Sequence, residues 1–155
     1  MQNIELINFT KLSLKDKKMV LEWRNHKEIR KYMYNQDIIP LKEHLEYITS
    51  LKNSKDKIYF LVKKNGDYIG VIDFTKINID SCHFGLYSKP DLKGVGDTLI
   101  KTILDYAFNN LKIKTLKLEV LESNIRAIKL YRRFKFKEIN TKNGYIYMEL
   151  KDENR

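Results

Sequence analysis

Cysteine is nearly missing from this sequence: Cys82 stands alone among 155 residues. A single thiol excludes an internal disulfide framework and any cysteine-rich zinc site, and no metal is expected. Proline is as scarce, with two residues, and glycine has six. Neither gathers into a linker or a low-complexity block. Long apolar runs are missing too, and none approaches the roughly 18 residues that a membrane span requires. The opening "MQNIELINF" shows no basic leader followed by an apolar stretch, so no secretory signal is expected. These absences predict a soluble protein of a reducing compartment, the cytoplasm, without a membrane partner. No repeat divides the chain, and its length predicts a single domain, 1–155, with its own core.

Negative charge falls short of positive charge, 20 residues against 30, for a net charge of +10. Such an excess suits a polyanion: RNA, a nucleotide or a coenzyme phosphate. Only six of the 30 are arginine, however, and the lysines are spread along the chain. A nucleic-acid binder gathers its basic residues on one face, so nucleic acid is not the expected partner.

What is present reads as an ordered series of elements. Residues 4–9, "IELINF", form a first strand. Ser13 caps a helix that runs to about Asn25, with Met19, Val20 and Trp23 on one face. "EIRKYMY" is a second short helix, and "LKEHLEYITSL" follows Pro40 as a third. "KIYFLVKKNGDYIGVIDFTKI" is a hairpin turning at Asn65-Gly66. Then come strand "SCHFGLYS", turn "KPDLKGVGD" and a long helix, "TLIKTILDYAFNNL", whose apolar residues recur at helical spacing. Strand "TLKLEVL", helix "NIRAIKLYRRF", strand "FKFKEIN", turn "TKNG" and strand "YIYMEL" complete the chain. The expected class is α+β (α/β): one mixed, mostly antiparallel sheet of about seven strands flanked by about four helices. A single strand–helix–strand crossover sits in its middle.

Two segments carry chemistry. The turn "KGVG", Lys93 to Gly96, joins a strand to a helix. Glycine lets backbone approach a ligand, and a helix start offers unpaired N–H groups to an anion. Lys93 adds charge at the rim. Asp97 would repel a phosphate, or else serve only as a first-turn acid favouring the helix dipole. No Gly-Lys-Ser/Thr follows, so this is not a Walker motif. The second segment is "LKLEVLESNIRAIKLYRRFKF", residues 116–136. It sets Glu119 in an apolar strand and Tyr131 on the apolar stripe of a helix with Ala127, Leu130 and Phe134. Glu119 alternates with Leu118 and Val120, so it faces the side shared with Lys117 and Leu121. Either residue also has a plain structural reading: Tyr131 as a core tyrosine with a bonded hydroxyl, Glu119 as a solvated strand carboxylate.

Taken together, the two segments resemble the GNAT family of N-acetyltransferases. The resemblance rests on Lys93-Gly94-Val95-Gly96 and on Asn124, Ala127, Leu130, Tyr131, Phe134 and Phe136. It implies acetyl-CoA as acetyl donor, with the pantetheine arm along Phe84, Leu86 and Tyr87. It further implies pyrophosphate on the amides of Lys93, Gly94, Val95, Gly96, Asp97 and Thr98, and Asn124 touching the coenzyme arm. Two positions depart from the family pattern: Asp91 stands where glutamine or arginine is usual, and Lys135 where glycine is usual. A lysine in that tight helix exit costs on the order of 1 kcal/mol. The resemblance makes Tyr131 the acid for the leaving thiolate. In related ribosomal-protein acetyltransferases a glutamate at this spacing is the general base, so Glu119 takes that role, with Glu122 as fallback. Asp73 and His83, on neighbouring strands, are further candidates.

The segment 21–48 is expected to choose the acceptor. Its string W-R-N-H-x-x-I-R-x-x-M, followed by I-x-x-x-x-H, resembles the nucleotide-sugar acetyltransferases of pseudaminic acid biosynthesis. The implied acceptor is the 4-amino group of UDP-4-amino-4,6-dideoxy-N-acetyl-β-L-altrosamine, and the implied end use a flagellin or other surface glycan. Arg24 and Arg30 would hold the UDP phosphates. Trp23, Tyr32 or Met33 would pack against uracil or the sugar methyl, and Asn25, His26 and His44 would bond polar groups. Two other readings stand beside this one: an acetylase of ribosomal-protein N-termini or other protein amines, and a non-catalytic coenzyme- or nucleic-acid-binding module. A homodimer is compatible with any of them.

Overall fold

The computed structural model describes residues 3–155. The chain runs β1 (Ile4–Asn8), α1 (Leu14–Asn25), α2 (Lys27–Arg30), α3 (Leu41–Ser50), β2 (Ile58–Lys64) and β3 (Asp67–Thr75). It continues β4 (Ser81–Ser88), α4 (Gly96–Asp105), β5 (Thr115–Leu121), α5 (Ile125–Arg133), β6 (Lys137–Lys142) and β7 (Tyr145–Lys151). The seven strands form one sheet in the order β1-β2-β3-β4-β5-β7-β6. Every pairing is antiparallel except β4 with β5. The mixed sheet is therefore as the sequence predicts, with five α-helices where about four were expected.

Local chemistry explains most boundaries. The Ser13 hydroxyl accepts from the Asp16 N–H at 3.1 Å and starts α1. Asn65 and Gly66 both take positive φ, 52° and 88°, which a tight hairpin of this hand requires. Two boundaries differ from expectation. The helix predicted over 28–34 shrinks to a single turn, α2. Arg24 Nη2 donates to the Asn35 carbonyl at 2.7 Å and Arg30 Nη1 to the Gln36 carbonyl at 2.9 Å. These bonds gather residues 35–36 toward the helices and favour a strap over a longer helix. The strand predicted from Phe134 begins instead at Lys137, because 134–136 are spent closing α5. The Phe136 N–H reaches back to the Tyr131 carbonyl and the Lys135 N–H to the Arg132 carbonyl. This is a Schellman exit, with Lys135 at φ 75° where glycine is usual.

Helices cover both faces of the sheet. α4 and α5 pack on one face over Phe60, Ile72, Phe74, Phe84 and Leu116. α1 and α3 pack on the other over Leu61 and Val71, with Val20, Trp23 and Ile48 between them. The decisive feature lies in the middle. β4 and β5 pair over only three positions, ending at His83↔Lys117. Beyond these the strands part, β4 staying with β3 and β5 with β7. The backbone edge of β4 from Phe84 onward is left without a strand partner on that side, and a crevice opens through the sheet.

Candidate active site

The crevice widens into a cavity of about 1090 Å³ that reaches from the α4 turn to the α1–α3 face. Lys93, Gly94, Val95, Gly96 and Asp97 line it, as do Phe84, Leu86 and Tyr87 of β4, Asn124 and Tyr131 of α5, and Glu119 of β5. The tertiary fold thus brings both sequence segments to one opening. The Thr98 side chain, on α4, is buried and lines a separate hollow of about 380 Å³ beside β1, while its N–H belongs to the uncapped first turn of the helix.

The α4 start fits an anion. No side chain caps it, so its first N–H groups stay free. Gly94 takes φ +83° with no atom within 4 Å of where a Cβ would stand, which leaves the turn open to an incoming group. Asp97 is bonded to Arg133 of α5, so its charge is compensated, which lessens the repulsion expected from it. Asn124 caps α5, its side-chain oxygen accepting from the Ala127 N–H at 3.4 Å. The unpartnered β4 edge offers the hydrogen-bonding groups that an extended amide-bearing arm needs.

Tyr131 is 7% exposed, edge-on to Phe84 at 5.7 Å and to Phe136 at 6.0 Å between ring centroids. Among the described residues its hydroxyl has no hydrogen-bond partner, unlike the usual core tyrosine. Burial, then the nearby Asp73 carboxyl, raise its pKa well above the ordinary phenol value, so the phenol keeps its proton. Glu119 faces the α1–α3 side with a side chain 17% exposed. Burial raises its carboxyl above the usual range. The His83 ring lies 3.7 Å away, too far for a hydrogen bond. Burial lowers the His83 pKa, as do Lys76 and Lys117, which keeps the ring neutral near pH 7.

The acceptor string is only partly at the cavity. Arg24, Met33, Tyr32 and His44 line it. Trp23 does not; it is 6% exposed inside the α1–α3 core. Asn25 is committed to backbone, its amide donating to the Ile39 carbonyl at 3.0 Å and accepting from the Ile39 N–H at 2.8 Å. The His26 ring accepts from the Glu28 N–H and caps α2. Arg30 stays outside the cavity, with Nη1 on the Gln36 carbonyl. His44 Nε2 donates to the Lys17 carbonyl at 2.8 Å, pinning α3 to α1. The string therefore builds and ties down the strap 31–39. Tyr34, on that strap, stacks on Tyr145 of β7 at 4.2 Å, and both rings line the cavity. The Arg24 Nη1 is buried and without a partner among the described residues.

Gly85 and Tyr59 also belong to the site, and nothing in their local sequence marks them. Asp73, one of several carboxyl candidates, lies on the cavity wall. Its position in the alternation "VIDFT" puts it on the α1–α3 face beside Val71. No group of three or more histidine, cysteine or acidic side chains able to hold a metal occurs among the described residues. No helix among them is long and apolar enough to cross a membrane.

A parallel pair that splays, a glycine turn starting a helix, and a coenzyme-sized crevice between them define an acyl-transfer scaffold. The chain belongs to the GNAT acetyltransferases: the model of the acetyltransferase (GNAT) domain matches residues 7–137. The chain is 42% identical over 148 residues to the acetyltransferase PseH of Campylobacter jejuni strain 81-176, covering 96% of this chain and 94% of the relative. The crystal structure of C. jejuni N-acetyltransferase PseH in complex with acetyl coenzyme A superposes with a TM-score of 0.84 at 40% identity, covering 97% of this chain and 99% of that one. Spermidine N-acetyltransferase of Vibrio cholerae, with CoA and spermine, shares the fold with a TM-score of 0.85 at 22% identity, over 99% and 96% of the chains.

Proposed function

We propose that residues 1–155 act as one acetyltransferase domain that uses acetyl-CoA to acetylate the 4-amino group of a UDP-4-amino-4,6-dideoxy sugar, in pseudaminic acid biosynthesis. One observation carries the chemistry: Glu119 and Tyr131, from different elements, meet one cavity where β4 and β5 part. Acetyl-CoA supplies an acetyl group activated as a thioester. The free amides from Lys93 to Asp97 suit its pyrophosphate, and the β4 edge at Phe84, Leu86 and Tyr87 suits its pantetheine arm. The C. jejuni complex with the same coenzyme supports this placement.

Glu119 takes a proton from the acceptor ammonium through one water, leaving a neutral amine. The amine nitrogen bonds to the acetyl carbon as the carbon–sulfur bond breaks. Tyr131 gives its phenolic proton to the departing sulfur and recovers one shed by the new amide nitrogen. The proton held by Glu119 returns to solvent. A raised carboxyl pKa suits a base working near neutrality, and a raised phenol pKa keeps the donor loaded.

Near-complete coverage of the PseH relatives at this identity supports the sugar acceptor. The unpartnered Arg24 Nη1 on the cavity wall supports a phosphate beside it. Tyr32 and Met33 supply apolar contact, a task the sequence also offered to Trp23. The test is thiol release from acetyl-CoA with UDP-4-amino sugars run beside ribosomal N-terminal peptides. Turnover of the peptides alone would overturn the sugar assignment.

A further inference from the structure

Asp73 is a carboxylate that the mechanism above leaves unused. It sits opposite Gly85 in the β3–β4 register, two positions past the last residue of β4 that pairs with β5. The bare backbone at 85 makes room for it: a Cβ there would come within 2.7 Å of Asp73 Oδ2. Like Glu119, it faces the α1–α3 side and lines the cavity.

Among the described residues Asp73 makes no ion pair. Arg24, Lys76, Lys93, Arg126 and Arg133 line the same cavity, yet none comes within ion-pair distance of it: Arg24 Nη2 is spent on the Asn35 carbonyl and Arg133 on Asp97. His83, two residues before Gly85, is held neutral by burial and by its lysine neighbours. The phenols of Tyr59, Tyr87 and Tyr131 near it keep their protons, because burial raises all three. Burial lifts the Asp73 carboxyl itself to about 7, against the pull of the Gly85 backbone amide. A half-buried carboxylate with no cation to neutralise it lowers stability, and folds tend to keep one only where it has work to do. The missing partner is a cation bearing N–H donors, small enough to reach the crevice from the acceptor side. An amine acceptor near neutral pH is such a cation.

We propose that Asp73 is the acceptor-nitrogen subsite: its carboxylate receives the acceptor's ammonium group in a charge-assisted hydrogen bond and holds the nitrogen at the opening between β4 and β5. This rests on the reading of the site as an amine acetyltransferase. No proton passes to Asp73; the N–H bond that breaks gives its proton to Glu119, as above. The consequence is selection: an amine is held, and a hydroxyl at the same carbon is not.

The test is calorimetric binding of a UDP-4-amino sugar and its 4-hydroxy counterpart to the wild type and to Asp73→Asn, with coenzyme A present. In the variant, affinity for the amino sugar falls by about 10- to 100-fold, while that for the hydroxy sugar stays within about threefold. The KM for acetyl-CoA is unchanged. Unaltered binding of the amino sugar, or equal losses for both sugars, overturns the proposal. If Asp73→Asn fails to fold, Asp73→Ser gives the same comparison. If the wild type releases no thiol with any UDP-amino sugar, the sugar assignment fails instead. The Asp73 comparison then runs on whichever primary amine of the panel is acetylated, beside its hydroxyl counterpart, with the same two outcomes.

Discussion

Replacing Tyr131 by phenylalanine separates chemistry from folding in a way this site permits. The ring is held by packing, edge-on to Phe84 and Phe136. Its backbone carbonyl is held by the Phe136 N–H in the α5 exit. None of these contacts uses the hydroxyl, which has no protein partner among the described residues. Removing one oxygen therefore leaves no orphaned donor or acceptor, and the stability change stays within about 0.5 kcal/mol. For a chain of this length that is about 1–2 °C in Tm. The kinetic effect is large by contrast. An acid that protonates a leaving group contributes about 10²- to 10⁴-fold, so kcat falls by at least about 100-fold while the KM for acetyl-CoA moves little. The assay is thiol release at saturating donor and acceptor, beside a thermal melt. A kcat within threefold of the wild type refutes the role of Tyr131. So does a Tm loss above about 5 °C, because the hydroxyl would then be structural.

The remaining expectations concern other parts of the same frame. Glu119 must be ionised to accept a proton, and its pKa is raised; kcat therefore falls as pH drops through a value above the ordinary carboxylate range. Glu119→Gln lowers kcat and flattens that acid limb, and an unchanged profile at saturating amine would sink the assignment. Asp73 has its pKa raised to about 7, so between about pH 4 and 7 the native state binds a proton that the unfolded chain does not, and stability falls as pH rises. Asp73→Asn is accordingly more stable than the wild type at pH 8, by a few kcal/mol at most, and equal to it near pH 4, as melts at the two pH values will show. Lys135→Gly relieves about 1 kcal/mol of left-handed strain and loses part of that to glycine's chain entropy, for a Tm gain of about 1–2 °C. At Gly70 a Cβ would lie 2.5 Å from the Tyr87 carbonyl oxygen and 3.2 Å from the Ser88 Cα. Both are backbone, so Gly70→Ala displaces β4, costs about 1–3 kcal/mol in a denaturant titration and weakens acetyl-CoA binding.

Much of the fold was legible because its signals are local. Asn65-Gly66 specifies a turn through φ alone, and Ser13 specifies a helix start through one bond. Alternation around Glu119 gave its face, since strand side chains point to opposite sides by geometry. Lys135 is recognisable as a strained exit through the resemblance to the family pattern, which has glycine between Phe134 and Phe136. The acceptor string is less legible for the opposite reason. Trp23, Asn25, His26 and Arg30 have the chemistry of ligand groups, yet the last three each bond backbone atoms, of 39, 28 and 36 in turn. A side chain that holds a loop and one that holds a substrate have the same letters, and only the folded path of the loop tells them apart.

The sequence by itself determined the order of elements, the inward stripe of α5 and the glycine turn that opens α4, each set by contacts within a few residues. The tertiary structure alone decided where β4 and β5 separate, because that depends on β3 and β7 pulling them apart from opposite sides. It also decided that Asp73 makes no ion pair among the described residues. Absence of a partner is a property of everything packed around a group, and no stretch of chain carries it.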